Sequence, residues 1–188
     1  MLHDLVLKNR SYRRFDESHP IAEETLKELV DLARLTPSGA NFQPLKYRLS
    51  NTPATNALIF STLAWAGYLK EWPGPGEGER PIAYVTILGD TQVAKNFGCD
   101  HGIAAQTILL GAAERGLGGC MIGNIRRDEL RQVLQLPERY EILLVLALGK
   151  PVEEVVLEAL PEDGSVKYWR DEQAVHHVPK RDLAEILV

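Results

Sequence analysis

The spacing of apolar residues along the chain predicts five helices and three strands. The clearest helix covers 21–36, where Leu26, Leu29 and Ala33 recur on one face and charged side chains occupy the rest. An uninterrupted apolar run over 142–148 is typical of a central strand. The other predicted helices cover 2–9, 55–69, 100–116 and 128–136, and the other predicted strands cover 47–51 and 82–88. Because few strands are separated by a single helix, this order favours an α+β fold with a sheet flanked by helices.

Capping and breaking residues set the expected limits of these elements. Pro37 ends the long helix before it, while Asp100 and Asp128 are the expected N-caps of two later helices. The Pro- and Gly-rich segment 72–81 is expected to be a surface loop, because neither side of it is long enough for a core of its own. From about residue 152 the chain is polar and is expected to form an extended tail.

Composition restricts the class of protein. A chain of 188 residues, 45% hydrophobic and 25% charged, is long enough for one domain, which we expect to span 1–188. A net charge of −5 argues against a general nucleic-acid binder, so basic clusters must act locally. Two cysteines are too few for a disulfide framework. Since the sequence shows neither a signal peptide nor an apolar stretch of membrane-spanning length, we expect a cytoplasmic protein.

Basic residues are concentrated where the first short helix ends. Arg10, Arg13 and Arg14 place three guanidiniums within five residues, with a serine among them. Arginine presents a planar, permanently charged fork that suits a phosphate or an anionic ring edge. A solvated basic turn is the alternative, and for Arg14 we favour a surface charge. A second cationic pair near the C-terminus, Lys180–Arg181, favours an anion site.

Two motifs resemble those of the nitroreductase-like FMN-dependent oxidoreductases. Sequences of that family begin with the motif Arg-Arg-Ser-x-Arg-x-Phe. In this chain Asn9 to Phe15 occupies the same place, and we call these residues the opening motif. Its first long helix ends in Pro-Ser-x-x-Asn-x-Gln-Pro, which Pro37 to Pro44 matches at every specified position. The likeness continues through 100–123 and 148–151. The resemblance implies a mixed, mainly antiparallel sheet flanked by helices, in an intertwined homodimer with flavin sites at the subunit interface.

The resemblance also implies FMN as the cofactor, with contacts in the opening motif. Arg10 and Ser11 match the residues that hold the FMN phosphate and ribityl chain, and Arg13 matches the arginine at the N1/O2 edge of the ring. A fixed cation at that edge stabilises the reduced flavin and raises its potential. Asn9 replaces the first arginine of the family pattern, so one positive charge at the phosphate is missing. We expect Lys180 and Arg181 to compensate for it.

A polar loop after the first long helix matches a further flavin contact of the family. In the family this loop crosses the dimer interface to the flavin of the other subunit. Its matching residues here are Pro37, Ser38, Gly39 and Asn41. Taken alone, they are ordinary residues of a turn at a helix C-terminus, so their assignment rests on the resemblance.

The glycine-rich run 116–123 lacks the spacing of a dinucleotide-binding fingerprint and follows a predicted helix. Its family equivalent passes along the flavin ring, and Ile122 and Gly123 match the positions where a backbone N–H faces the flavin N5 atom. Glycine allows the main chain to approach a flat ligand closely.

Tyr68 and Trp72 are the substrate-side candidates. They lie in the short segment 64–81, which stands where larger relatives carry helices that roof the substrate pocket. The alternative is that both are aromatic core residues.

Two other kinds of site are disfavoured. His176 and His177 are adjacent, so their side chains diverge on a strand, and no further ligand recurs at metal-site spacing. We therefore expect no metal centre, and interpret this segment as extended chain that carries the basic pair to the phosphate. Cys120 has no second cysteine nearby and is expected to be a buried small hydrophobic residue instead of a redox thiol.

The predicted function is oxidoreduction through FMN by a ping-pong mechanism. NAD(P)H reduces the flavin and leaves, and a nitroaromatic, quinone or similar acceptor then takes its place. The chemistry belongs to the cofactor, so no catalytic acid or base is expected. Two alternatives are a flavin-binding protein without turnover, for storage or sensing, and another flavin reaction such as dehalogenation or flavin cleavage. A hydrolase or metal enzyme built on the histidines is a third, against which their spacing argues.

Overall fold

The computed structural model describes all 188 residues as two sheets, with helices packed on the larger one. The helices are α1 (Leu2–Lys8), α2 (Glu23–Arg34), α3 (Pro53–Ser61), α4 (Asp100–Glu114), α5 (Arg127–Leu134) and α6 (Leu183–Ile186), with a 3-10 turn over Gly39–Asn41. The strands are β1 (Phe15–Asp16), β2 (Leu45–Ser50), β3 (Ala83–Asp90), β4 (Gly118–Ile122), β5 (Tyr140–Pro151), β6 (Val155–Ala159), β7 (Trp169–Arg170) and β8 (His176–Lys180). The predicted α+β class is confirmed.

Strand β5 is the centre of the larger sheet, which is antiparallel throughout. One edge of β5 pairs with β3, and the far edge of β3 pairs with β2. The other edge of β5 is shared, because β4 pairs with residues 145–149 and β1 pairs with Lys150 and Pro151. The outer edge of β4 therefore remains free for the chain segment that precedes β1.

Helices cover both faces of this sheet. On one face α2 and α4 pack through residues such as Leu26 and Ile108, and on the other α3 and α5 pack through residues such as Leu130. All eight residues of β3 are buried. Burial on both faces explains why the two central strands are continuous apolar runs in the sequence.

The chain after β5 forms the second, three-stranded sheet. Its central strand is β8, which runs parallel to β6 and antiparallel to β7. The sequence predicts an extended segment over the last of these strands, and β8 confirms it. The first residue of β8, His176, lies against the opening motif and contributes to the candidate site.

Two predictions about elements are wrong. The helix predicted over 55–69 ends at Ser61, because the chain then turns towards the segment after β4, where the Ala64 N–H donates to the Asn124 carbonyl oxygen at 3.0 Å. Strand β4 has no counterpart among the predicted strands. Its glycines weaken the local strand signal, and its conformation comes from pairing with β5.

Neither Asp100 nor Asp128 is an N-cap, because each lies within the first turn of its helix. There their negative charges suit the positive end of the helix dipole. The Asp100 carboxylate accepts hydrogen bonds from the Ser38 hydroxyl at 2.6 Å and the Gly39 N–H at 3.0 Å. Asp100 therefore attaches the loop after α2 to the start of α4.

Gly119 lies where β4 passes between β5 and the opening motif, and a side chain has no room there. A Cβ at this position lies 2.5 Å from the Ala147 carbonyl oxygen and 2.8 Å from the side chains of Leu109 and Leu148. We expect Gly119→Ala to lower the free energy of unfolding by about 1–3 kcal/mol in urea denaturation. Gly102→Ala, inside α4, is the matched control: nothing lies within 4 Å of its Cβ, and we expect a gain of about 0.5–1 kcal/mol. Equal effects of the two substitutions contradict this account.

Candidate functional site

The opening motif lies along the free edge of β4. Ser11 and Gly119 form an isolated parallel bridge, and the Tyr12 N–H donates to the Gly119 carbonyl oxygen at 3.0 Å. The Tyr12 ring packs directly on Gly118. The structure therefore brings together the opening arginines and the glycine-rich run, two regions that the resemblance assigns to one ligand.

Arg13 points into the protein and is only 9% exposed. Its guanidinium Nη1 lies 3.1 Å from the Ser11 carbonyl oxygen, to which it donates, and 3.2 Å from Nε2 of His176. The guanidinium carbon lies 4.9 Å from the centre of the Tyr168 ring, in a cation–π contact. None of these partners carries a negative charge, so the Arg13 guanidinium has no direct carboxylate partner.

Glu153 is a buried carboxylate beside Arg13. It accepts hydrogen bonds from the backbone N–H of Arg13 and, at 3.1 Å, from the Arg170 guanidinium. Burial raises the pKa of Glu153 above its usual value, although the Arg13 N–H and the nearby guanidiniums favour the charged form. Since Arg170 lies on β7, Glu153 joins the opening motif to the second sheet.

His176 is a neutral partner of Arg13. Arginine can only donate, so Nε2 of His176 accepts and the ring proton resides on Nδ1, which is buried without a partner. Burial, followed by the positive charge of Arg13, lowers the pKa of His176 to about 4. At neutral pH the ring therefore accepts a hydrogen bond from Arg13 without competing for its charge.

Tyr68 and Trp72 lie beside the same cluster. The Tyr68 and Tyr168 rings are 4.9 Å apart, and the Arg170 guanidinium lies 4.6 Å from the centre of the Trp72 ring. The segment that carries Tyr68 and Trp72 therefore packs on the second sheet, and the structure places both substrate-side candidates near Arg13. Tyr68 is 51% exposed, which leaves one side of its ring open.

Arg10 has no carboxylate partner, because its guanidinium donates only to two backbone carbonyl oxygens. Ser11 beside it is exposed, and its hydroxyl makes no hydrogen bond. A guanidinium without an anionic partner next to a free hydroxyl fits a phosphate group. Arg14 differs: its side chain is partly exposed and donates to the Glu79 carboxylate at 2.5 and 2.8 Å, so its charge is paired within the chain.

The loop after α2 is attached to α4 and not to the opening motif. The Gln43 N–H donates to the Ser38 hydroxyl at 2.9 Å, and Ser38 in turn donates to Asp100. Beside the loop is a cavity of about 490 Å³, lined by residues of α2, the loop and β2. Within one chain no hydrogen bond joins the opening motif to the four loop candidates, Pro37, Ser38, Gly39 and Asn41.

Lys180 and Arg181 lie at the far end of β8 from Arg13. Strand β8 brings His176, its first residue, to Arg13, and Lys180 is its last residue. Four residues of strand span about 13 Å. Both cations are exposed, and Arg181 pairs with Glu185 at 3.0 Å. Within one chain, therefore, the structure does not bring this pair to the opening motif.

The end of β4 presents accessible main chain. Ile122 is buried, whereas Gly123 is exposed, and the nearest atom to a Cβ at Gly123 is a Leu144 methyl at 4.0 Å. A flat ligand can approach the backbone there. Cys120 is buried and burial raises the pKa of its thiol, which confirms the prediction of a buried small hydrophobic residue.

No group of three or more His, Cys, Asp or Glu side chains is arranged to hold a metal ion. His177 lies between the carboxylates of Glu158, at 3.1 Å, and Asp171, at 3.2 Å, and its ring stacks on Trp169 at 4.0 Å. Burial opposes a charge on this ring, but the hydrogen bonds to Asp171 and Glu158 raise the pKa of His177. Its side chain and that of His176 diverge as predicted.

The sequence does not predict the roles of Glu153 and Arg170 beside Arg13. Glu153 accepts the Arg13 N–H, and Arg170 donates to Glu153. Both lie in the polar region after β5, where isolated charged residues are common and no spacing distinguishes them. The one available signal is a carboxylate two residues after the end of a buried strand. That signal alone does not identify a partner more than 100 residues away, since Arg13 and Glu153 are 140 positions apart.

The adjacent histidines predict opposite effects of pH on stability. His176 has a pKa lowered from 6.5 to about 4, so its contribution is complete above pH 6.5 and is lost as the pH falls through about 4. His177 has a pKa raised above 6.5, so its contribution is complete below pH 6.5 and is lost as the pH rises through the folded-state value.

In the unsubstituted protein we expect the free energy of unfolding to fall by about 2–3 kcal/mol as the pH is lowered from 6.5 to about 4. His176→Gln should remove this fall, which urea unfolding at a series of pH values measures. His177→Gln is the matched control and is expected to flatten only the alkaline side. An acid profile of His176→Gln identical to that of the unsubstituted protein contradicts the neutral-histidine assignment.

Comparisons with known proteins agree on one family. The family model described as Nitroreductase family matches residues 6–65 and 86–150. The NADH dehydrogenase of Thermus thermophilus is 26% identical over 178 residues, covering 79% of this chain and 86% of that protein. A crystal structure of a nitroreductase family protein from Streptococcus pneumoniae has a TM-score of 0.69 at 17% identity, covering 87% of this chain and 97% of that one. An FMN-dependent nitroreductase from Clostridium difficile has a TM-score of 0.64 at 22% identity, covering 80% and 87%. Both structures share the fold described above.

Proposed function

The chain belongs to the nitroreductase family, and from that membership we propose that it is an FMN-dependent oxidoreductase that uses NAD(P)H. Bound FMN supplies the electron-carrying ring, while the chain supplies binding, orientation and charge. The observation that carries this proposal is the opening motif. There two guanidiniums without carboxylate partners, those of Arg10 and Arg13, lie beside an exposed serine and the edge of β4.

Arg10 and Ser11 hold the phosphate and the ribityl chain of FMN. Support comes from the Arg10 guanidinium, which meets only carbonyl oxygens, and from the free hydroxyl of Ser11. Asn9 supplies no charge here, so the phosphate needs further cations. Lys180, the last residue of β8, and Arg181 after it are exposed, and they supply these cations from the partner subunit, since β8 carries them away from Arg13 of their own chain.

Arg13 stabilises the negative charge that reduction places on the N1/O2 edge of the ring. Two observations support this role: the Arg13 guanidinium meets a carbonyl oxygen and a neutral imidazole, and the Glu153 carboxylate beside Arg13 is paired with Arg170 instead. Ile122 and Gly123 offer backbone to the N5 side, where the absence of a side chain at Gly123 allows close approach.

A homodimer completes each site. Support comes from apolar side chains that one chain leaves exposed at its ends and in the loop after α2. These include Leu2, Leu7, Phe42, Leu183 and Ile186. Helix α1 has no buried residue at all, as expected of an element that packs on another subunit. In the dimer the loop residues Pro37, Ser38, Gly39 and Asn41 contact the flavin of the partner subunit. Light scattering should give twice the 21.0 kDa of one chain.

NAD(P)H and the acceptor use the same site in turn, as a ping-pong mechanism requires. A planar nitroaromatic or quinone suits the aromatic side chains Tyr68 and Trp72, of which Tyr68 packs on Tyr168 and Trp72 on Arg170. No acid or base side chain is assigned to the reaction, because electron transfer through the cofactor needs none.

Anaerobic mixing of the FMN-loaded protein with NADH or NADPH tests the proposal. We expect loss of the visible flavin absorbance, and its return on addition of a quinone. A yellow protein that neither nucleotide bleaches favours the flavin-storage alternative, which is also favoured by the shortness of the segment 64–81 where larger relatives carry roofing helices. A colourless protein that does not take up FMN contradicts the proposal.

A further inference from the structure

A second cavity, of about 220 Å³, lies away from the opening motif, between the start of α3 and the residues that lead into β3. Its apolar lining includes Ile21, Pro53 and Phe60. The polar residues of the lining are Glu17, Ser18, Asn51, Asn56, Arg80 and Tyr84. The volume is below that of pockets for drug-sized ligands and suits a compact molecule with one ring. We call it the Arg80–Tyr84 cavity.

The Tyr84 hydroxyl is a buried donor without a partner. The side chain is 1% exposed, and no protein group lies within hydrogen-bond distance of its oxygen. Burial raises the pKa of Tyr84, so the hydroxyl keeps its proton at every physiological pH. A buried hydroxyl without a partner destabilises the folded protein, so its presence in this lining requires an explanation.

Arg80 is a second donor without a partner in the same cavity. It forms no ion pair and no hydrogen bond, and its Nε is buried. Its guanidinium lies 4.8 Å from the centre of the Phe60 ring, which fixes the plane of the charged group. Arg80 and Tyr84 both line this cavity, so the guanidinium and the Tyr84 hydroxyl border the same space.

The other polar groups of the cavity are already engaged. The Asn56 side chain accepts from the Ser50 hydroxyl at 2.7 Å and donates to the Ile82 carbonyl oxygen at 2.7 Å. One carboxylate oxygen of Glu17 accepts the Gly78 N–H at 2.6 Å, and Glu17 is exposed. The Ser18 hydroxyl donates to the Asp16 carboxylate at 2.6 Å, and the Asn51 side-chain amide donates to the Ile21 carbonyl oxygen at 3.2 Å. Arg80 and Tyr84 are therefore the two polar side chains of the lining that make no hydrogen bond, and both can donate.

We propose that the Arg80–Tyr84 cavity binds a small carboxylate with an apolar body, such as an aromatic acid. The guanidinium offers the carboxylate a two-pronged, charge-assisted contact, and the Tyr84 hydroxyl donates to an oxygen of the same group. The ring of the ligand packs among Ile21, Pro53 and Phe60. This site is independent of flavin binding, because none of its residues belongs to the opening motif or to β4.

Calorimetric titration of the purified protein with sodium benzoate tests the proposal, with benzyl alcohol as the uncharged probe of the same shape. We expect saturable benzoate binding at least tenfold tighter than that of benzyl alcohol. Tyr84→Phe keeps the ring and is expected to weaken benzoate about tenfold, while Arg80→Gln is expected to abolish saturation. Arg48→Gln, which removes an exposed arginine that forms no ion pair on β2, is the matched control and should leave binding unchanged.

Three results overturn the proposal: no saturable benzoate binding, equal affinity for benzoate and benzyl alcohol, or benzoate binding that survives both Arg80→Gln and Tyr84→Phe. Far-ultraviolet circular dichroism of each variant confirms that it is folded before the titrations are compared. Because Tyr84→Phe removes only an oxygen that has no protein partner, we expect this variant to be at least as stable as the unsubstituted protein.

Discussion

Arg13→Ala should weaken FMN binding about tenfold to a hundredfold and lower the flavin potential by about 30–60 mV. The expected size follows from the loss of one charge-assisted contact that strengthens when the ring edge becomes negative. Arg13 suits this role because it is 9% exposed and its guanidinium contacts a carbonyl oxygen, a neutral imidazole and a ring face. Fluorescence titration with FMN and redox titration of the loaded variant measure the two effects.

Arg14→Ala is the matched control, because Arg14 is the next residue in the chain and forms an ion pair with Glu79. We expect it to cost at most about 1 kcal/mol of stability and to leave FMN affinity and potential within error. If Arg13→Ala retains both the FMN affinity and the potential of the unsubstituted protein, the assignment of Arg13 to the ring edge is wrong.

Arg170→Leu should lower the free energy of unfolding by about 3–5 kcal/mol, because it leaves the Glu153 charge buried without its guanidinium partner. The Glu153 side chain is 0% exposed, so water does not replace the lost contact. Urea unfolding at neutral pH measures the change.

Two comparisons isolate the charge of Glu153 as the cause. In a Glu153→Gln background, where the acceptor for the Arg13 N–H remains but the charge is gone, Arg170→Leu should cost much less. Burial raises the pKa of Glu153, so its favourable contribution is complete below the ordinary value of 4.5 and is lost as the pH rises through the folded-state value. The cost of Arg170→Leu should therefore shrink as the solution is made acidic. An equal cost in both backgrounds and at both pH values contradicts the buried-charge account.

The sequence predicts the elements whose pattern is local. The amphipathic face of 21–36 corresponds to α2, Glu23–Arg34, and the apolar run 142–148 lies inside β5. Both patterns reflect burial of the element itself, on one face for α2 and on both faces for the middle of β5.

What the sequence does not predict depends on partners far away along the chain. Strand β4 is a strand because β5 lies on one side and Ser11 on the other, whereas its own residues are glycine-rich. The helix predicted over 55–69 is shortened by a contact with Asn124, more than 50 residues later. Such distant contacts leave no periodic pattern of apolar residues, so the sequence predicts the wrong C-terminal end for this helix.

The residues of the candidate site likewise fall into those that the sequence indicates and those that only the structure reveals. The resemblance of the opening motif to the family pointed to Arg10, Ser11 and Arg13, and the structure places them along β4 beside the glycine-rich run. It did not indicate that Glu153 and His176 surround Arg13, because a single buried carboxylate or histidine has no sequence signature. The loop over 37–44 and the pair Lys180–Arg181 are not joined to the opening motif within one chain, so their assignment stays a prediction about the dimer.

Parallel titrations of the flavin-free protein with FMN and with riboflavin test the central claim most directly, since the two ligands differ only in the phosphate. If the cations of the opening motif hold that phosphate, FMN should bind at least about a hundredfold tighter than riboflavin, and Arg10→Gln should weaken FMN while leaving riboflavin unchanged. Equal affinities for FMN and riboflavin, or a loss of both on Arg10→Gln, would contradict it.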